Sequence, residues 1–169
     1  KVFCSEMGWR VVNDAMQIMG GEGYMTENEI ERIFRDSRIN LIVEGSNDLM
    51  WSFVFAYGGK QLGEWMLGVR EAPLGKKMSM LPQILPLAAE VFLGIRKSAP
   101  KITGVHESLR GPADRLGRMI SEFTYQFKQA SKRYDAAIVN RQVVQTRLAL
   151  VAIQLHAWSC TLSKLDRDV

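Results

Sequence analysis

The chain has 169 residues, and its hydrophobic fraction of 47% suffices for the packed core of one domain or of a domain with an appendage. The net charge of +4 is not gathered into a basic run with interleaved aromatic residues, which argues against a nucleic-acid-binding protein. Cys4 and Cys160 lie far apart without metal-ligand spacing, so the sequence predicts no metal site, and we expect neither cysteine to be catalytic.

The chain opens inside a helical pattern, without an initiating methionine or a signal peptide, so we expect it to be part of a longer protein. Residues 2–19 carry apolar side chains at helical spacing, which predicts a core helix whose inner face holds Phe3, Met7, Val11, Val12, Ala15 and Ile18. Gly20 and Gly21 follow this helix. Such a pair is usually a helix cap, but it also lets another backbone or a phosphate approach closely.

A short amphipathic helix is predicted from Glu27 to Asp36, and residues 39–43 then form an apolar run that leads to Glu44. An acid after such a run should be partly desolvated, which would raise its pKa and make it a better proton acceptor near neutral pH. The alternative is that Glu44 caps a helix or pairs with a nearby arginine. Gly45 leaves room beside the carboxylate, and Ser46 is a suitable N-cap for the next helix.

The rest of the chain predicts further helices and one linker. The third helix should end at Gly68, an irregular linker should span residues 69–85, and a helix with Phe92 and Ile95 inward should span residues 86–97. Beyond Pro112, apolar residues step by three and four in two long segments joined by a turn at residues 136–140, which predicts an antiparallel helical hairpin. His156 lies beside this seam and is interpreted as a core residue. The uncharged run at 148–163 is a poor transmembrane candidate.

These elements predict an all-α fold, with a helical bundle followed by the appended hairpin. The motifs QIMGGEGY, ER, RD and VEGSND, in that order and spacing, resemble the C-terminal helical domain of the acyl-CoA dehydrogenases over residues 1–60. From Val105 onward the chain is similar to the extra helical domain of the very-long-chain branch, through VH, a long helix, IVNRQ and a second long helix. We therefore expect residues 1–68 to be the end of the family's helical bundle, 69–85 the linker and 86–169 the additional domain.

The resemblance implies an FAD-dependent oxidation of fatty acyl-CoA to trans-2-enoyl-CoA, with long-chain substrates. Glu44 would remove the proton next to the thioester carbonyl, and the flavin would take the hydride. The Glu44 amide would help to hold the thioester oxygen. The cofactor-binding positions would be Gln17, Gly20, Gly21, Ser46, Asn47 and Asp48, and the substrate-binding positions would be Val43 and Gly45. Val43 stands at a position where relatives in this family commonly have an aromatic residue.

The resemblance also implies an acyl-CoA substrate, an electron acceptor such as electron-transfer flavoprotein, and at least a dimer, because the glycine pair would meet a flavin held mainly by a neighbouring subunit. The location would be cytoplasmic in a bacterium and mitochondrial in a eukaryote. The chain lacks the regions that hold most of the flavin, so alone it should be inactive. The alternative function is a non-catalytic helical module for dimerisation or membrane docking, with a surface at Lys76, Lys77, Met78, Met80 and Leu81.

Overall fold

The apolar periodicity of the sequence is realised as helix along nearly the whole chain. A computed structural model, which describes all 169 residues, contains seven α-helices and no strand, and this confirms the all-α class. The helices are α1 (Val2–Met19), α2 (Gly21–Tyr24), α3 (Glu29–Arg38), α4 (Asn47–Glu71), α5 (Leu74–Leu93), α6 (Arg110–Tyr134) and α7 (Gln142–Asp168). They divide into two compact units, Lys1–Phe53 and Val54–Val169.

In the first unit, α1 packs against α3 through aromatic and cationic side chains. The Trp9 and Phe34 rings lie 4.4 Å apart between centroids, and the Arg38 guanidinium lies 5.4 Å from the Trp9 ring. The predicted core face of α1 is only partly covered within this chain, since Val11 is 67% exposed and Ile18 is 86% exposed. The prediction that these two residues are in the core is therefore wrong here, because no element of the first unit lies over them.

Helix α3 forms where local capping and charge favour it. The Asn28 side chain accepts a hydrogen bond from the Ile30 N–H at 3.1 Å, which satisfies one free donor of the first turn. Glu29 and Glu31 lie in the first turn, and Arg35 and Arg38 lie in the last, so both ends complement the helix dipole. The predicted helix at 27–36 is confirmed, with both of its ends displaced by two residues.

In the second unit, α6 and α7 form the predicted antiparallel hairpin. Its buried core consists of Ala113, Leu116, Leu155 and Leu162, with Ile120, Phe123 and Trp158 packed around them. A short 3-10 helix, Asp135–Asn140, makes the turn, and the buried Gln145 amide donates to the carbonyls of Ile138 at 2.8 Å and Val139 at 2.7 Å. The hairpin and its turn are therefore confirmed, but the stepped apolar face is only partly buried, since Val151 and Leu165, which belong to it, are exposed.

The predicted irregular conformation at 69–85 is wrong. Helix α4 continues to Glu71, and α5 begins at Leu74 and contains both Pro82 and Pro86. An internal proline costs a helix about 3 kcal/mol or more, but contacts with α6 hold the end of α5. The Lys128 ammonium donates to Glu90 Oε2 at 2.7 Å, and both side chains are largely buried.

The predicted helix at 86–97 is also wrong in its end and its face. Helix α5 stops at Leu93, and Phe92 and Ile95 are exposed. The Gln129 amide donates to the Val91 carbonyl at 3.0 Å, so a carbonyl left free at the helix end finds its partner on α6. The assignment of functional domains to 1–68 and 86–169 stays a prediction, and the boundary between compact units lies at residues 53 and 54.

Helix α7 is the one helix long and apolar enough to cross a membrane, as judged by length and composition alone. Core helices of soluble proteins pass the same test. Its Leu155 and Leu162 side chains are buried against α6. His156, interpreted from the sequence as a core residue, is instead exposed, with its Nε2 atom 3.7 Å from the Cys160 sulfur. That interpretation is wrong because His156 and Cys160, one turn apart, lie outside the buried seam.

Candidate functional site

The predicted catalytic residue lies in a tight turn between a 3-10 helix, Ile39–Leu41, and the start of α4. Glu44 has φ 56° and Gly45 has φ 83°, so two consecutive residues adopt the left-handed conformation. Glycine accepts this conformation readily, but a glutamate in it is strained. Such outliers persist where the surrounding structure holds them, and they cluster at functional sites.

The Glu44 side chain is exposed, and none of the ion pairs of the chain includes it. The expectation that the preceding apolar run desolvates Glu44 is wrong for this chain, because Ile42 and Val43 are themselves exposed and exclude little water. Pairing with an arginine, the alternative interpretation, is not observed either. The carboxylate is therefore accessible to a ligand from solvent.

Main-chain donors and close packing surround the turn. The hydrogen bonds of the chain do not use the Glu44 N–H, whereas the preceding Val43 N–H donates to the Ile39 carbonyl at 3.0 Å. A Cβ at Gly45 would lie 3.1 Å from the Met50 sulfur, so the space beside Glu44 is already limited. Ser46 precedes α4, and its carbonyl accepts from the Met50 N–H at 2.9 Å.

A hydrogen-bond network centred on Asn47 ties this turn to the beginning of α1. Asn47 is 3% exposed, and its Nδ2 atom donates to Ser5 Oγ at 3.0 Å and to Glu6 Oε1 at 2.8 Å. The Lys1 ammonium donates to Asn47 Oδ1 at 2.7 Å and to the Gly45 carbonyl at 2.8 Å. Lys1, Ser5 and Glu6 were not among the site residues predicted from the sequence. The available signal was a pair of adjacent polar residues, Ser5 and Glu6, between the apolar positions of α1.

The second predicted segment lies at the other end of α1. Gly20 has φ 60°, and its N–H donates to the Gln17 carbonyl at 3.2 Å, so it ends the helix as the sequence indicates. Nothing lies within 4 Å of a Cβ built on Gly20 or Gly21, and Gln17 is exposed. The backbone of the glycine pair is therefore exposed, with open space beside it.

The two segments are well separated. Gly20 comes fourteen positions after Glu6, and a rise of 1.5 Å per residue makes this a distance of about 21 Å along the helix axis. The structure therefore brings Gly45, Ser46 and Asn47 together with Glu44, and it leaves the glycine pair far from them.

Asp48 is exposed in the first turn of α4, where the helix dipole favours a carboxylate. Val43 is 43% exposed on the other side of Glu44 in the sequence. A separate cavity of about 300 Å³ lies in the second unit and contains none of the predicted site residues. It is lined by Phe55, Phe123, Phe127 and smaller apolar residues, with Lys128 at its wall.

Comparisons with known proteins concern both units. The family described as acyl-CoA dehydrogenase, C-terminal domain, matches residues 1–57. The very long-chain specific acyl-CoA dehydrogenases of mitochondria are similar over 100% of this chain, at 32% identity for Mus musculus and 33% for Homo sapiens. The chain covers 26% of each of these two proteins, so it spans about a quarter of their length.

A bacterial relative and a solved structure agree with this similarity. A probable acyl-CoA dehydrogenase of Bacillus subtilis is 53% identical over 49 residues, which are 29% of this chain and 8% of that protein. A crystal structure of an acyl-CoA dehydrogenase complexed with FAD, from Bacillus anthracis, superimposes with a TM-score of 0.61 at 29% identity. It covers 92% of this chain and 24% of the solved chain.

Proposed function

Because this chain belongs to the acyl-CoA dehydrogenase family, we propose that it supplies the C-terminal helical part of an FAD-dependent enzyme that oxidises acyl-CoA to trans-2-enoyl-CoA. The observation that carries the proposal is the exposed, left-handed turn at Glu44 and Gly45, inside the region that matches the family's C-terminal domain. The similarity of the whole chain to very long-chain specific enzymes supports long-chain thioesters as substrates.

Glu44 acts as the general base. Its carboxylate takes the proton from the carbon next to the thioester carbonyl, and it is not neutralised by an ion pair within the chain. This carbon acid is weak, so the negative charge that develops on the thioester oxygen needs a hydrogen-bond donor. The Glu44 N–H, unused by the chain's own hydrogen bonds, is the donor that this chain offers. Val43 and Gly45 border the same space and contact the substrate.

When bound, FAD supplies the acceptor for the hydride that leaves the β-carbon. Ser46 and Asp48, beside the base, hold the flavin, and Asp48 is tolerated there because it lies in the first turn of α4. Asn47 was predicted at the same place, but the whole residue is buried. Its side-chain N–H groups are both donated inside the chain.

Gln17, Gly20 and Gly21 hold the diphosphate end of a flavin that belongs mainly to a neighbouring subunit. The separation of about 21 Å along α1 supports this assignment, since it places the glycine pair away from the base of its own chain. The enzyme is then at least a dimer. Its electron acceptor is a flavoprotein such as electron-transfer flavoprotein, and it is mitochondrial in a eukaryote and cytoplasmic in a bacterium.

The test uses the complete protein that contains this chain and follows its flavin absorbance. Acyl-CoA of several chain lengths should bleach the flavin. Glu44→Gln should keep the flavin and bind acyl-CoA, yet lose bleaching by about 10² to 10⁴ in rate, because an amide cannot accept the proton. Glu27→Gln is the matched control, since Glu27 is an exposed acid in the same unit, and it should behave like the parent. If Glu44→Gln bleached the flavin at the parental rate, Glu44 would not be the base.

A second candidate is a helical assembly or membrane-docking module without chemistry of its own. The observation in its favour is that α5 exposes Lys76 beside the apolar side chains of Leu74 and Met78. This candidate predicts a complete protein that contains no flavin, so the same absorbance spectrum separates the two.

A further inference from the structure

We propose that Asn47 is a positioning residue for the base: it ties the turn that carries Glu44 to α1 through Ser5 and Glu6. The inference rests on the proposed role of Glu44. It assigns the Asn47 side chain to the geometry of proton transfer, whereas the family resemblance implies a flavin contact at this position.

The hydrogen bonds of the Asn47 side chain are all made inside the first unit. Both of its N–H groups are donated, to Ser5 Oγ at 3.0 Å and to Glu6 Oε1 at 2.8 Å, and its oxygen accepts from the Lys1 ammonium at 2.7 Å. The residue is 3% exposed. A buried amide with both donors used has none left for a cofactor, and breaking one of these bonds would strand a buried polar group.

The same network reaches the residue that follows the base. The Lys1 ammonium donates to the Gly45 carbonyl at 2.8 Å as well as to Asn47 Oδ1, so a single cation links the turn and the amide. Glu44 and Gly45 both have left-handed backbone conformations, and this strain on a glutamate persists only when its surroundings oppose relaxation. The hydrogen bonds of Asn47 to α1 keep this backbone from relaxing.

Placement of the carboxylate controls the rate of proton abstraction more than it controls binding. A general base must lie within about 2.6–3.2 Å of the proton donor atom, and a misplacement of 1 Å can cost about a hundredfold in rate. If the turn relaxes, the Glu44 carboxylate moves away from the position that proton transfer requires. Loss of Asn47 should therefore reduce the chemical step while flavin and acyl-CoA stay bound.

The experiment measures three quantities on the complete flavoprotein: flavin content, KM for acyl-CoA and the rate of flavin bleaching. Asn47→Ala and Ser5→Ala remove donors or acceptors of the network. Both should lower the bleaching rate by about 10-fold to 100-fold, with flavin content unchanged and KM within about twofold. Ser5→Thr retains the hydroxyl and should restore most of the rate. Asn40→Ala changes an exposed asparagine just before the turn and should match the parent.

The outcomes separate this inference from the proposed function. Loss of bleaching in Glu44→Gln together with parental bleaching in Asn47→Ala and Ser5→Ala would overturn the positioning role alone. Loss of flavin from Asn47→Ala with a normal rate for Ser5→Ala would also overturn it, since Asn47 would then serve the cofactor. A slow Ser5→Ala with full flavin, rescued by Ser5→Thr, is the result that the network predicts. Parental bleaching in Glu44→Gln would instead refute the proposed function itself.

Discussion

Replacing Gly117 with alanine should destabilise the second unit, because the connection between α5 and α6 crosses α6 at this glycine. A Cβ built at Gly117 would lie 2.3 Å from the Pro100 carbonyl oxygen and 3.5 Å from the Pro100 carbonyl carbon. Both are main-chain atoms, so no side-chain rotation relieves the contact. Gly117 is also buried, and the methyl group cannot turn toward solvent.

The size of the effect follows from two opposing terms. Alanine is better than glycine in a helix interior by about 1 kcal/mol. A carbon normally approaches a carbonyl oxygen to about 3.3 Å, so the Pro100 segment must move by about 1 Å. Overpacking of this kind costs about 1–3 kcal/mol. Because the displaced group is backbone, we expect the upper part of that range and a net loss of about 2 kcal/mol.

Urea unfolding of the complete chain measures the difference, with Gly63→Ala as the matched control. Gly63 lies inside α4, and nothing lies within 4 Å of a Cβ built there, so alanine should raise the free energy of unfolding by about 0.5–1 kcal/mol. The two variants should therefore shift the unfolding midpoint in opposite directions. Equal stabilisation by both would show that the connection does not lie against Gly117 in solution.

Two further predictions concern hydrogen bonds of the hairpin. Gln145→Ala leaves the carbonyls of Ile138 and Val139 without their donor and should lower the free energy of unfolding by about 1–3 kcal/mol in the same urea assay. The Gln126 amide and the Arg96 cation hold the pKa of Glu122 below its ordinary 4.5, so this carboxylate stabilises the fold above that pH and the contribution is lost as pH falls below it. Glu122→Gln should accordingly reduce stability at neutral pH and differ less from the parent in acid. An unchanged difference across the titration would contradict that linkage.

The hairpin was predictable because the sequence pattern that determines it lies within each helix and the short turn between them. Leu116, Leu155 and Leu162 occupy the stepped apolar positions of their helices, and all three are buried where α6 meets α7. Each helix carries its own periodic face, and one short turn fixes their antiparallel order. Gly20 was predictable for the same reason, since a glycine after a helix adopts the left-handed region at little cost.

The region around α5 was not predictable, because distant side chains stabilise it. Pro82 and Pro86 argue locally for a break. The stabilising partners are Lys128 and Gln129 on α6, which lie about forty residues further along the chain and contact Glu90 and Val91. A tertiary contact of this kind leaves no local pattern, so residues 69–85 resembled a linker.

The predictions that the apolar face of α1 and the Glu44 side chain are buried were wrong for a different reason. An apolar pattern reports which side chains need covering, but it does not say which part of a protein covers them. Val11, Ile18, Ile42 and Val43 remain exposed in this chain, whose length is about a quarter of that of its very long-chain relatives.

The proposed proton abstraction depends on the residues around Glu44 in this chain and on the ligands that would cover Glu44. The Asn47 network and the left-handed turn lie beside the main chain of Glu44, and their contacts are made inside the first unit. Ile42 and Val43 are exposed and exclude little water from this carboxylate. Under the proposed function, the bound thioester and flavin must therefore exclude water from the Glu44 carboxylate.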